Sequence, residues 1–236
     1  IVKAVDDISF KVFEGETLGL VGESGCGKST LGRVILQLDK STSGSIKYKG
    51  KELTTLSSNE LRKLRKDIQL IFQDPYSSLN PRMLIGETIM EPMQVHQIGK
   101  NDRERKNKVI SILKSVKLDA SFFNRYPHEL SGGQRQRLAI ARALIRQPEI
   151  YLFDDSFSAL DLSTDAKLRA ALIPHLKDSV TLIVGQRVST IRHADQILVL
   201  EDGLVVGLGT HEELRQSCAT YEEIVLSQAL QEGDDL

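Results

Sequence analysis

The chain has 236 residues, 40% of them hydrophobic and 27% charged, with a net charge of −1. That length holds one or two ordinary domains with a real core, and the balanced charge leaves no basic footprint for nucleic acid. No apolar run approaches the roughly 18 residues that cross a bilayer, and Cys26 and Cys218 stand in no metal-binding spacing, which fits a reducing compartment without a structural disulfide.

The chain opens on Ile1 rather than Met, as expected of an excised domain, and no signal-peptide pattern precedes the first elements. Val2, Ala4, Ile8, Phe10 and Val12 are spaced among polar residues, so residues 2–11 predict a β-start. After the turn at Glu14-Gly15-Glu16 comes a strand over 17–21, then Gly22-Glu23-Ser24-Gly25-Cys26-Gly27-Lys28-Ser29-Thr30, then an apolar helical run over 31–36. Strand, glycine loop and helix follow in that order, and G-x-x-x-x-G-K-S is spelled in full. Glycines let successive backbone N–H groups turn inward around a phosphate, where a Cβ would obstruct. The helix N-terminus adds unpaired donors and partial positive charge. Gly22, Ser24, Gly25, Cys26, Gly27, Lys28, Ser29 and Thr30 are therefore candidate phosphate-binding residues, with Lys28 reaching the outer phosphates and the Ser29 hydroxyl offered to Mg²⁺.

A short edge strand is expected within 43–50, and Ser57 with Glu60 spells a capping box before a basic helix over 61–66, whose charges read as a solvated face. Residues 68–73 predict a strand. Pro75, Pro81, Pro92 and Pro127 punctuate a stretch without strand pattern, in which the charged run 100–108 precedes a helix over 109–116. Ser131 caps a long helix over 133–146. Strands at 150–153, 181–184 and 196–200 then alternate with helices at 164–176, 188–193 and 211–230. The pattern predicts an α/β core, 1–73 with 148–236, whose centre is largely parallel, carrying a helical subdomain over 74–147.

Leu130-Ser131-Gly132-Gly133-Gln134, set between the glycine loop and an acidic strand end, makes the combination specific. Over essentially its whole length the chain resembles the nucleotide-binding domain of the ATP-binding cassette (ABC) transporters. The resemblance implies a phosphate-loop NTPase fold of ABC type: a mixed sheet core with an antiparallel β edge, and a helical subdomain. It implies ATP and Mg²⁺ as ligands, and a second nucleotide-binding domain and membrane subunits as partners. It also implies a place on the cytoplasmic face of the membrane. In such a family Gly22–Thr30 is the Walker A loop, and Gln73 contacts Mg²⁺ and the attacking water. Ser131, Gly132, Gly133 and Gln134 form the signature that closes on ATP held by the other domain. Asp154 holds Mg²⁺, and Asp161 belongs to a loop crossing the dimer interface.

Three departures accompany the match. The family's catalytic Glu is here Asp155, one methylene shorter, and a displacement near an ångström can cost about a hundredfold in rate. The family's switch His is here Gln186, an amide that donates a hydrogen bond but carries neither proton nor charge. The family's adenine-stacking aromatic would precede Ile1, and losing such stacking, worth roughly 1–3 kcal/mol, predicts weaker ATP binding. The pair Asp155 and Gln186 is similar to the weakened site of heterodimeric exporters, so an ATP-binding module with little hydrolysis is the alternative function. The resemblance also changes along the chain. Residues 3–137, with Phe72-Gln73-Asp74-Pro75-Tyr76-Ser77-Ser78-Leu79-Asn80-Pro81, are similar to ATPase subunits of dipeptide and oligopeptide importers. Residues from about 138, with Phe153-Asp154-Asp155-Ser156-Phe157-Ser158-Ala159-Leu160-Asp161, resemble an exporter half. A chimera joined within 134–148 is the expectation that follows.

Overall fold

The computed structural model describes residues 3–74 and 79–232, so the expectations resting on Val2, Pro75, Tyr76, Ser77 and Ser78 lie outside the described residues. Six strands form one sheet: from one edge, β4 (Ile68–Ile71), β5 (Ile150–Asp154), β6 (Val180–Val184), β1 (Thr17–Gly22), β7 (Gln196–Glu201) and β8 (Leu204–Gly209). Neighbours are parallel except β7 and β8, an antiparallel hairpin at the far edge. A separate two-stranded ribbon pairs β2 (Lys47–Tyr48) with β3 (Lys51–Glu52). The mixed α/β architecture is the one expected.

Both faces of the sheet are covered, as parallel sheets require. One face is a row of Leu152, Leu182, Leu18, Leu20, Val184 and Leu198, against which α1 (Lys28–Ile35) packs Leu31 and Ile35. Val21, Tyr151, Phe153, Ile183, Ile197 and Val199 alternate onto the other face, which meets the remaining core. Each such side chain, fully buried, contributes about 1.5–3 kcal/mol. On that side lie α3 (Ile85–Val95), α4 (Asp102–Ser115), α5 (Gly132–Leu144) and α6 (Leu162–Leu176). The short α7 (Val188–Ile191) and then α8 (His211–Ser217) and α9 (Ala219–Glu232) complete it. The basic helix α2 (Ser58–Leu64) buries none of its residues and carries the capping box read from Ser57 and Glu60.

Several expectations need correction. Residues 3–16 pair in no strand. Val5, Ile8, Phe10 and Val12 do turn toward the core, but Asp7 takes a left-handed φ of 50° that interrupts the extended run. The charged run 100–108 does not precede a helix; it is the start of α4, capped by Asn101, which accepts the Glu104 N–H at 2.9 Å. Asp102 and Glu104 in its first turn suit the positive end of the helix. Pro92 does not interrupt α3 but sits buried inside it, its packing offsetting the lost hydrogen bond. The single helix expected over 211–230 is two, broken at Cys218, whose backbone is extended and whose thiol faces the Val206 carbonyl. Strand β8 is absent from the expected elements.

Candidate functional site

At the C-terminal end of β1 the chain reverses through Gly22 and enters α1 at Gly27. Gly27 has φ 102°, and a Cβ there would come 2.0 Å from the Ala4 carbonyl oxygen; one on Gly22 would strike the Leu200 carbonyl at 2.1 Å. Only glycine fits either place. Lys28 is folded back over the loop and only 8% exposed, its Nζ donating to the carbonyls of Gly22 at 2.7 Å and Glu23 at 2.6 Å. The ammonium is thus held at the mouth of the loop by weak neutral acceptors. Anionic oxygens would make stronger, charge-assisted partners.

The next residue reaches the neighbouring strand end. Ser29 Oγ donates to Asp154 Oδ1 at 3.0 Å, joining the first turn of α1 to the tip of β5. A hydroxyl and a carboxylate in contact are hard oxygen donors suited to Mg²⁺. Among the described residues no group of three or more His, Cys, Asp or Glu side chains is arranged to hold a metal. An ion here would therefore draw other ligands from phosphate and water, the usual manner of Mg²⁺.

Asp155 follows with a left-handed φ of 46°, a conformation Asp tolerates better than most residues. Its N–H donates to the Val184 carbonyl at 2.8 Å, fixing it against β6. Its Oδ2 accepts from two amides, Gln73 Nε2 at 3.0 Å and Gln186 Nε2 at 3.2 Å. Burial first, then the adjacent Asp154 charge, push the Asp155 carboxyl above the usual aspartate value, against the Gln186 backbone hydrogen bond and the charges of Arg187 and Lys28. Three positions far apart in sequence therefore meet on one oxygen.

Ser131, Gly132, Gly133 and Gln134 lie elsewhere, at the start of α5. Ser131 is its N-cap: its Oγ accepts the Gln134 N–H at 3.3 Å, and its own N–H donates to Gln134 Oε1 at 2.9 Å. Asp161 likewise caps α6, accepting the Thr164 N–H at 2.9 Å, and the Thr164 contacts hold its carboxyl below the usual range. Both sets close on their own helices rather than on Lys28.

Four polar residues not expected from sequence support this arrangement. The Ser156 hydroxyl, fully buried, donates to the Ile71 carbonyl at 2.7 Å, and buried Gln136 donates to the Phe72 carbonyl at 3.2 Å. Together they fasten the chain just ahead of Gln73. Arg187 reaches the Leu160 and Ser158 carbonyls at 3.4 Å, and Gln228 meets the backbone around Gln186. No sequence spacing signals these contacts, because each bonds a backbone atom remote in the chain.

A parallel-centred sheet with a glycine loop feeding a helix, and an acidic strand tip beside it, defines a phosphate-loop nucleotide-binding domain. The ABC transporter family model matches residues 5–158, and the chain belongs to that family as an ATP-binding domain. It is 45% identical over 225 residues to the putative oligopeptide transport ATP-binding protein YkfD of Bacillus subtilis, covering 94% of this chain and 67% of that relative. It is 44% identical over 217 residues to the oligopeptide transport ATP-binding protein OppF of Escherichia coli, covering 90% of this chain and 65% of that relative. The chain spans about two thirds of the length of these relatives. Among solved structures it overlays on the ATP-binding cassette MJ0796, dimeric and bound to ADP and Pi, with a TM-score of 0.81 at 32% identity, covering 88% of this chain and 90% of that one. A bacterial Atm1-family exporter with ATP bound gives 0.83 at 29% identity, covering 96% of this chain and 39% of that one. No helix among the described residues is long and apolar enough to cross a membrane.

Proposed function

We propose that the chain binds Mg-ATP on the loop from Gly22 to Thr30 and hydrolyses it slowly to ADP and phosphate. It does so at an interface with a second nucleotide-binding domain, to drive the membrane subunits of a transporter. The observation that carries this reading is the meeting of Ser29 with Asp154 beside the Lys28 loop, while Asp155 gathers Gln73 and Gln186 at the next position. Lys28 would exchange its two carbonyl partners for phosphate oxygens. Ser29 and Asp154, with Gln73 close by, would hold Mg²⁺, which supplies charge neutralisation at the phosphates. Asp155 Oδ2 would accept the proton of the attacking water, and Gln186 would orient the outer phosphate by donating a hydrogen bond. Ser131, Gly132, Gly133 and Gln134 of a second copy would present the open N-terminus of α5 to the same phosphate, with Asp161 at the shared interface. Oligopeptides are the cargo class named for the relatives, and import of such molecules is the transport reading for this chain.

Slow turnover follows from two features. The Asp155 carboxylate is one methylene shorter than a glutamate, and Gln186 donates a hydrogen bond but carries neither proton nor charge. The same two substitutions favour a second reading, an ATP-binding module that closes a dimer with little hydrolysis. Phosphate release by the chain compared with Asp155→Glu plus Gln186→His separates them. A rise of about a hundredfold from a measurable parent rate supports slow hydrolysis. The same rise from a parent that binds ATP without releasing phosphate supports the binding module, and no rise implies a defect of the dimer or the fold.

The mixed ancestry belongs to the same reading: importer-like to about residue 137, exporter-like beyond, joined within 134–148. Its support is the wording of 153–161 and 194–203 in the sequence. Matching the two halves separately against importer and exporter subunits tests it, and equal importer identity in both halves overturns it.

A further inference from the structure

Helix α7 begins at Val188, two residues after Gln186, and is only one turn long. The first N–H groups of any helix lack partners within it. Its N-cap residue is Arg187, whose side chain makes no capping bond. The missing cap comes from a distant element. Gln228, on α9, accepts the Val188 N–H on its Oε1 at 2.7 Å and donates from its Nε2 to the Gln186 carbonyl at 2.5 Å. One amide thus pairs with the backbone on both sides of Arg187. The other end of α7 is held too, since Arg169 of α6 donates to the Ser189 and Thr190 carbonyls at 3.0 and 2.8 Å. Helix α9 is in turn seated by Tyr221, fully buried, and by Ile224 and Val225 against the main core.

We propose that Gln228 is a positioning residue for the switch segment: by clamping the backbone at Gln186 and Val188 from the C-terminal helix, it holds the Gln186 amide on Asp155. The proposal rests on the ATPase reading above and deepens it by making α9 part of the site's support. A backbone freed at both bonds could rotate the Gln186 side chain away from its 3.2 Å contact, and positioning errors of that kind lower turnover more than ground-state binding.

The experiment uses the whole chain with Gln228→Leu, which removes both bonds, and Gln228→Glu, which keeps the acceptor for Val188 but loses the donor to Gln186. Amide exchange at Val188, followed by NMR, reads the clamp without any ATP. Exchange is expected to rise about tenfold in Gln228→Leu, the worth of a hydrogen bond, and to stay near the parent value in Gln228→Glu. In steady-state hydrolysis both variants should lose about three- to tenfold in kcat with KM for Mg-ATP unchanged. In a Gln186→Ala background the same substitutions should have no further effect. Unchanged Val188 exchange in Gln228→Leu overturns the proposal, as does an equal kcat loss when Gln186 is already absent. If Gln228→Leu fails to fold, the Gln228→Glu kinetics and their loss in the Gln186→Ala background carry the test. A parent chain with neither ATP binding nor phosphate release refutes the ATPase reading instead, while the exchange measurement still judges the clamp.

Discussion

At the scale of single residues, the loop geometry gives a physical reason why the motif fixes Gly27 but leaves the position of Gly25 open. Gly27 and Gly25 both have positive φ, 102° and 87°, but a Cβ on Gly27 would meet the Ala4 carbonyl oxygen at 2.0 Å while one on Gly25 meets nothing within 4 Å. Left-handed backbone alone costs a non-glycine residue about 1–2 kcal/mol. Gly25→Ala should therefore lower stability by about that amount, seen as a small shift of the denaturant midpoint at constant slope. Gly27→Ala must in addition displace the 3–6 segment, so its loss should exceed that of Gly25→Ala by several kcal/mol or abolish folding. Equal midpoints for the two variants would contradict the geometry.

At the scale of elements, what holds the site is the fastening of strand ends. Strand β4 is an edge, and the carbonyl of its last residue, Ile71, depends on the Ser156 hydroxyl. Ser156→Ala leaves that carbonyl without its buried donor and should cost about 1–3 kcal/mol, with a fall in ATP turnover because Gln73 follows two residues later. Thermal unfolding and phosphate release on the same sample check both parts. The ribbon of β2 and β3 is organised differently, on one carboxylate. Glu52 accepts from Ser45, from Thr54 Oγ1 at 2.5 Å and from the Ile46 N–H at 3.0 Å, and these bonds, Ser45 first, pull its pKa down to about 2. A folded value below the unfolded one stabilises at pH above the ordinary glutamate range and is lost as pH falls through about 2. Between roughly pH 4.5 and pH 2 the melting temperature of Glu52→Ala should therefore fall less steeply with acid than that of the parent.

Much of this was legible because the elements around the loop are local in their signals. The strand before Gly22, the cap at Ser131 and the buried apolar strands 150–153 and 196–200 announce themselves by spelling or periodicity. Strand β8 was legible too but unread: Asp202-Gly203, with φ 47° and 81°, is the two-residue turn that signals a hairpin. Gly207 and Gly209 hide the strand after it. The remainder was not in reach. Left-handed Asp7 gives no warning in the sequence, the break at Cys218 depends on a thiol meeting β8, and Gln136, Ser156 and Gln228 act on carbonyls and amides that only the tertiary fold brings near.

At the scale of the whole molecule, the site is asymmetric within one chain. The loop side carries Lys28, Ser29 and Asp154, whereas Ser131 and Gly132 are exposed at the start of a 13-residue helix whose capping bonds close on themselves. A helix N-terminus of that length attracts anions, and in the proposed pairing a head-to-tail second copy would set it against phosphate on the first. Ser131→Glu tests it selectively. Ser131 is exposed and a carboxylate suits the positive end of the helix, so the fold survives, but in the proposed pairing it would face the phosphates with like charge only across the dimer. Sedimentation with saturating Mg-ATP, using Asp155→Asn to suppress turnover, should show the parent pairing and the Ser131→Glu form pairing at least about tenfold more weakly, about 1.4 kcal/mol. Nucleotide affinity of the isolated monomer should be unchanged, since Ser131 lies on a different element from Lys28. Equal dimerisation of the two forms would place the pairing surface elsewhere. A matching loss of monomer affinity would instead bring Ser131 onto the phosphates of its own chain.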